Sequence, residues 1–165
     1  LTHKYGFKEV AFADRLKFEV SQKWNIPIEI FSDPNLKDFK GVEYQGFSPR
    51  ELLQNHGTKK RLEDPNYWLR QVQEVIYDLG HDYSPGYIIS DVRMLSEAEW
   101  IRHCTNHKYN MLFNITRPSI PRTDFHLSEI ELDNYEYWTD TLVNNSTIPA
   151  LYDQVEEKII RKLLS

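Results

Sequence analysis

The sequence predicts an α/β fold in which helices cover a mostly parallel sheet, and three observations predict it. Short apolar runs at Phe7–Ala13, Tyr87–Asp91, Met111–Ile115 and Thr141–Asn144 have strand length and strand composition. Segments with helix-start signals and helical spacing lie between them, and that alternation favours parallel strands joined by helical crossovers. The 165 residues, 40% hydrophobic and 27% charged, suffice for one globular domain with a substantial core, so a single domain over 1–165 is expected.

Each element follows from local chemistry. Leu1-Thr2-His3-Lys4-Tyr5-Gly6 reads as the last turn of a helix, with basic side chains and then glycine at the left-handed capping position. Val10-Ala11-Phe12-Ala13 forms the buried part of the first strand, and Asp14 is placed to cap a helix reaching about Trp24. Residues 26–39 form an irregular connection containing proline. Ser48-Pro49-Arg50-Glu51 combines an N-cap serine, a first-turn proline and a capping-box glutamate, and Gly57 is expected to end that helix. Asp64-Pro65 opens another helix with Trp68, Val72, Val75, Ile76 and Leu79 on one face, stopped by Gly80. Ser96-Glu97-Ala98-Glu99 reads as a second capping box, starting a helix through Asn106. The polar, aromatic stretch around 117–138 lacks periodicity and reads as a lid or loop. Leu151, Val155, Ile159 and Leu163 stripe a final helix.

Charge and cysteine content narrow the function classes. With 20 Lys and Arg against 25 Asp and Glu, the net charge of −5 argues against general nucleic-acid binding, but not against a local basic pocket. No apolar run has membrane-spanning length, so no membrane partner is expected. The single cysteine, Cys104, cannot form an intrachain disulfide, which fits a reducing, cytoplasmic compartment. A homodimer is left open.

Open α/β sheets bind ligands beyond the carboxyl ends of their strands. Three such ends carry polar groups: Asp14, Arg15 and Lys17 after the first; Asp91 and Arg93 after the second; Thr116, Arg117 and Arg122 after the third. A carboxylate at the end of a rigid strand suits a magnesium site, and arginine forks suit phosphate oxygens. Taken one at a time, such residues are more often solvated or structural; their recurrence at successive strand ends favours function. His103 and His107 share a metal-binding spacing but have no evident third ligand, and Cys104 has no catalytic partner in the pattern.

The order of several short motifs resembles the phage-type deoxynucleoside monophosphate kinases. The blocks are Phe12-Ala13-Asp14-Arg15-Leu16-Lys17, Leu52 to Arg61 with Asn66-Tyr67-Trp68, Ile89-Ser90-Asp91-Val92-Arg93, Thr116-Arg117-Pro118, His126-Leu127-Ser128-Glu129 and Leu142-Val143-Asn144-Asn145. They span nearly the whole chain; phosphomevalonate kinases share the layout more loosely. The resemblance implies a three-layer sandwich of the P-loop NTPase kind and transfer of the γ-phosphate of ATP, with Mg²⁺, to a nucleoside monophosphate. By the same resemblance Asp14, Lys17 and Arg61 hold the acceptor, Trp68 packs near its base, and Asp91 supports Mg²⁺ or its waters. Arg93 then meets acceptor phosphate, while Arg117 and Arg122 belong to a lid.

One departure bears on this reading. The ATP-cradling pattern G-x-x-x-x-G-K-[ST] does not occur in these 165 residues, and Gly57-Thr58-Lys59-Lys60 is no substitute. The expectation is therefore a kinase whose central strand and phosphate loop lie before Leu1, and which is inactive without them. The alternatives are a nonenzymatic remnant that binds nucleotides or a partner, and a related kinase for another phosphorylated acceptor such as phosphomevalonate.

Overall fold

The computed structural model describes residues 1–41, 44–80, 85–103, 110–121, 123 and 125–164. They are α/β, as the alternation predicts, and divide into two compact units, Leu1–Val92 and Arg93–Ser165. Each unit holds one two-stranded parallel sheet, so the described strands do not join in a single sheet.

The first unit begins with α1 (Thr2–Tyr5), closed by Gly6 at φ 74°, whose N–H donates to the Thr2 carbonyl at 2.9 Å as the capping pattern predicts. Strand β1 (Lys8–Val10) follows, then α2 (Phe12–Trp24), α3 (Pro49–Glu63), α4 (Tyr67–Asp78) and β2 (Tyr87–Ile89). Strands β1 and β2 pair in parallel with Val10 opposite Ile89, which puts their carboxyl ends side by side. Val20, Ile26, Phe31 and Leu52 form the core, backed by Leu16, Trp24, Ile30, Tyr44 and Leu53. At the C-terminal end of α4, Lys8 Nζ donates to the carbonyl of the capping Leu79 (2.7 Å), and the Tyr87 hydroxyl lies 2.6 Å from Gly80 O and 3.3 Å from Ile76 O. A cation and a donor there satisfy carbonyls that have no partner within the helix.

Three sequence expectations change in this unit. The first strand ends at Val10 rather than Ala13, because Phe12 already opens α2. Asp14 therefore lies inside the first turn and is not the cap. Helix α3 has the predicted capping box, with Glu51 N donating to Ser48 Oγ (3.2 Å) and Ser48 N to Glu51 Oε2 (2.8 Å). It does not stop at Gly57. That residue is buried in mid-helix and the helix runs to Glu63, since Gly57 takes no left-handed backbone conformation there.

The second unit comprises α5 (Leu95–His103), β3 (Phe113–Thr116), α6 (Leu127–Ile130), β4 (Asp140–Val143), α7 (Ile148–Val155), a π-helical turn (Glu156–Ile160) and α8 (Arg161–Leu164). Strand β3 pairs in parallel with β4 from Phe113–Asp140 to Thr116–Val143. Ile115 is largely exposed, so this strand is less buried than the sequence suggests; Leu112, just before it, is buried. The Gln154 amide grips the β4 backbone, accepting from Val143 N at 2.9 Å and donating to Val143 O at 3.0 Å. The final helical stripe steps by four residues, longer than the α-helical repeat of about 3.6, and the π turn takes up the difference. The stretch after Arg117 is not featureless. Buried Tyr135 packs edge-on against Tyr137 and Trp138, and its hydroxyl donates to Glu99 Oε1 at 2.8 Å. Among the described residues no helix is long and apolar enough to cross a membrane.

Candidate functional site

The candidate residues fall in both units, and each unit arranges its own share. In the first, the side-by-side ends of β1 and β2 bring Asp91 to the start of α2. Asp91 Oδ1 accepts from Phe12 N at 2.8 Å and Oδ2 from Ala13 N at 2.7 Å. Those are two of the N–H groups that a helix start leaves unpaired, and a carboxylate also suits the positive end of the helix dipole. Asp91, 79 residues away from Phe12, caps the helix that the sequence assigned to Asp14.

This geometry bears on Mg²⁺. Both Asp91 oxygens accept N–H bonds at a helix start that favours anions, so Asp91 has a structural role there whatever it does toward Mg²⁺. Among the described residues no group of three or more His, Cys, Asp and Glu side chains could hold a metal ion. Asp14 is exposed in the first turn of α2, and Lys17 reaches Ser32 Oγ at 3.1 Å. The Arg61 guanidinium folds back over Gly57, with Nη1 3.5 Å from where a Gly57 Cβ would stand and Leu16 Cδ2 at the same distance.

Trp68 is 3% exposed, and its Nε1–H donates to the Gly57 carbonyl at 3.2 Å. It packs edge-on against Tyr67, with ring centroids 4.8 Å apart. The structure thus places it in the helical core rather than on a surface open to a base.

Beside it lies a polar cluster that sequence reasoning missed. Glu19 accepts from the Tyr67 hydroxyl (2.6 Å) and from His56 Nε2 (2.9 Å), with Arg15 Nε at 3.5 Å. Burial raises the Glu19 carboxyl pKa, but the bonds from Tyr67 and His56, with Lys60 nearby, outweigh it and hold the group below the ordinary carboxylate range. Burial and the Glu19 carboxylate push the Tyr67 hydroxyl up to about 12. His56 Nδ1 is buried without a hydrogen-bond partner among the described residues. The available signal was a carboxylate at position 19 between Leu16 and Val20, on the buried side of α2.

In the second unit, Arg93 makes an ion pair through Nη1 with Glu129 Oε1. Its backbone N–H donates to Glu97 Oε2 at 2.9 Å, as does that of Met94 at 3.1 Å. Glu97 is 2% exposed. The reach-back glutamate of α5 is therefore Glu97, acting on Met94, and the box read at Ser96–Glu99 is shifted by two residues. Glu131 Oε2 accepts from Leu95 N at 2.6 Å. His126 caps α6 through Nδ1, which accepts from Ser128 N at 3.2 Å. Arg117 is exposed just beyond β3. Arg122, Cys104 and His107 lie outside the described residues.

No protein-family profile matches the chain. A protein of Acanthamoeba polyphaga mimivirus named "Putative deoxynucleotide monophosphate kinase" is 29% identical over 168 aligned positions, covering 94% of this chain and 84% of that protein. The chain resembles a deoxynucleotide monophosphate kinase. The kinase resemblance read from scattered motifs is thus matched by similarity over 94% of the chain.

Proposed function

We propose that the protein is a nucleotide kinase that transfers the γ-phosphate of ATP to a deoxynucleoside monophosphate. The observation that carries the reading is the similarity to the mimivirus protein across 94% of the chain. Phosphoryl transfer has little need of a nucleophilic side chain. It needs positioning, and positive charge around the transferring group. Lys17 and Arg61 in the first unit, and Arg93 and Arg117 in the second, are the cations assigned to that work. Lys17 and Arg61, with Asp14, bind the acceptor; Arg93 contacts its phosphate; Arg117 and Arg122 belong to a segment that covers the transferring group. Mg²⁺ is expected to arrive with ATP, held mainly by its phosphates. Asp91 fixes the start of α2, and with it Asp14 in the first turn and Lys17 one turn further on, and also supports Mg²⁺ or its waters. The compartment is cytoplasmic and the substrate a small nucleotide.

The test is a panel of deoxynucleoside monophosphates and phosphomevalonate, measured for binding by calorimetry and for turnover with ATP and Mg²⁺. At least one deoxynucleotide should bind, and Lys17→Ala and Arg93→Ala should each weaken binding or turnover severely while melting temperature holds. Absence of both binding and turnover with every deoxynucleotide would overturn the proposal, as would wild-type behaviour in both variants. Preference for phosphomevalonate would move the protein to a different acceptor class.

A further inference from the structure

The His126-Leu127-Ser128-Glu129 segment is a compact device aimed at one residue. His126 caps the single turn α6, with Ser128 Oγ 2.9 Å from its Nδ1. That turn and the residue that caps its end carry two acidic side chains to the start of α5: Glu129 pairs with the Arg93 guanidinium and Glu131 takes the Leu95 N–H. Buried Glu97 holds the backbone N–H groups of Arg93 and Met94. Three carboxylates therefore fix residues 93–95, two through the backbone and one through the arginine side chain.

The Arg93 side chain nevertheless keeps 51% of its surface exposed. A guanidinium has five N–H donors on three edges, and one carboxylate covers at most one edge. An arginine held this way loses rotamer freedom in advance and still has donors left for an anion. We propose that Glu129 is a positioning residue for Arg93, holding the guanidinium ready for the phosphate of the acceptor. This rests on the kinase reading above, in which Arg93 meets that phosphate. Glu129 acts through Arg93 and touches no substrate itself. The opposite role, a carboxylate that competes with the phosphate for Arg93, predicts the opposite sign in every binding measurement.

Two measurements on the full chain decide it. The first needs no ligand: nitrogen-15 NMR of the arginine Nε–H groups. Arg93 should show restricted motion in the wild type, Glu129→Ala should release it, and Glu129→Gln, which keeps an acceptor oxygen, should fall between the two. Equal mobility in wild type and Glu129→Ala would overturn the inference, whatever the protein binds. The second is calorimetric binding of deoxynucleoside monophosphates, with inorganic phosphate as a minimal probe. Glu129→Ala should weaken binding of the accepted monophosphate by up to roughly tenfold, the upper end for having to immobilise one rotamer-rich side chain on binding. Unchanged or tighter binding in Glu129→Ala would also overturn it, even with a lowered melting temperature. If the wild type binds no monophosphate, the kinase reading fails, and the Arg93 signal still decides whether Glu129 positions that side chain.

Discussion

Glu19 links the Tyr67 hydroxyl, the His56 ring and the Arg15 guanidinium in the first unit. Its carboxyl is held below the ordinary value of 4.5, so the folded state binds its proton less readily than the unfolded chain does. The stability this contributes is complete above about pH 4.5 and falls away as pH drops through the lower folded value. Tyr67 behaves oppositely. Its hydroxyl is raised from 10.0 to about 12, so its contribution is complete below pH 10 and is lost as pH climbs toward 12. Urea titrations across both limbs check the signs. Glu19→Gln should flatten the acid limb and Tyr67→Phe the alkaline one, relative to wild type. A wild-type acid slope in Glu19→Gln would mean that other carboxylates govern it. Asp91 teaches a different lesson at this scale. Sequence logic placed the α2 cap on the nearest acid, Asp14, because capping rules are local. The true cap arrives through the pairing of two parallel strands, and no window around residue 12 contains it.

Among the elements, α3 separates what local pattern can show from what it cannot. Ser48, Pro49 and Glu51 announce its start because all the partners lie within one turn. Its end was misplaced at Gly57, where glycine suggests a stop only if the backbone turns left-handed. Gly57 instead keeps helical geometry, and a Cβ there would meet Leu16 Cδ2 and Arg61 Nη1 at 3.5 Å, ordinary contact distance. Gly57→Ala should therefore be tolerated and raise stability by up to about 1 kcal/mol, the helix-propensity difference between the two residues. Chemical denaturation measures this directly. A loss of 1 kcal/mol or more (an order-of-magnitude limit for overpacking) would show that the close approach of Leu16 and Arg61 depends on the missing side chain. Helix α5 repeats the point. Ser96 and Glu99 fit the capping pattern, yet the buried Glu97 makes the reach-back bonds, because Met94 rather than Ser96 sits at the helix start. The Arg93–Glu129 pair joins two motifs that the sequence displayed separately. Each residue was visible, but the bond between them spans 36 positions and follows from how α6 meets α5.

At the scale of the whole molecule the two units carry separate cores. Val20, Ile26, Phe31 and Leu52 pack in one, while Met94, Leu112, Tyr135 and Leu142 are buried in the other. A two-stranded sheet has little independent stability, so each sheet relies on the helices of its own unit. The α/β alternation was legible because its signals repeat along the chain. The division into units was not, since Val92–Arg93 has no glycine, proline or change of composition to mark it. Native proteins open in cooperative pieces that follow such packing units. Val20→Ala removes two fully buried methyl groups and leaves a cavity, a loss of about 2 kcal/mol by group burial plus unfilled volume. Native-state hydrogen exchange should show that loss as reduced protection in α2, α3 and α4. The Phe113–Thr116 and Asp140–Val143 strands should keep most of theirs, because they belong to the other unit and the described cluster around Val20 is drawn from residues 16–53. A uniform drop in protection over both units would mean that they open as one cooperative body, and that contact density alone does not mark the boundary at residue 92.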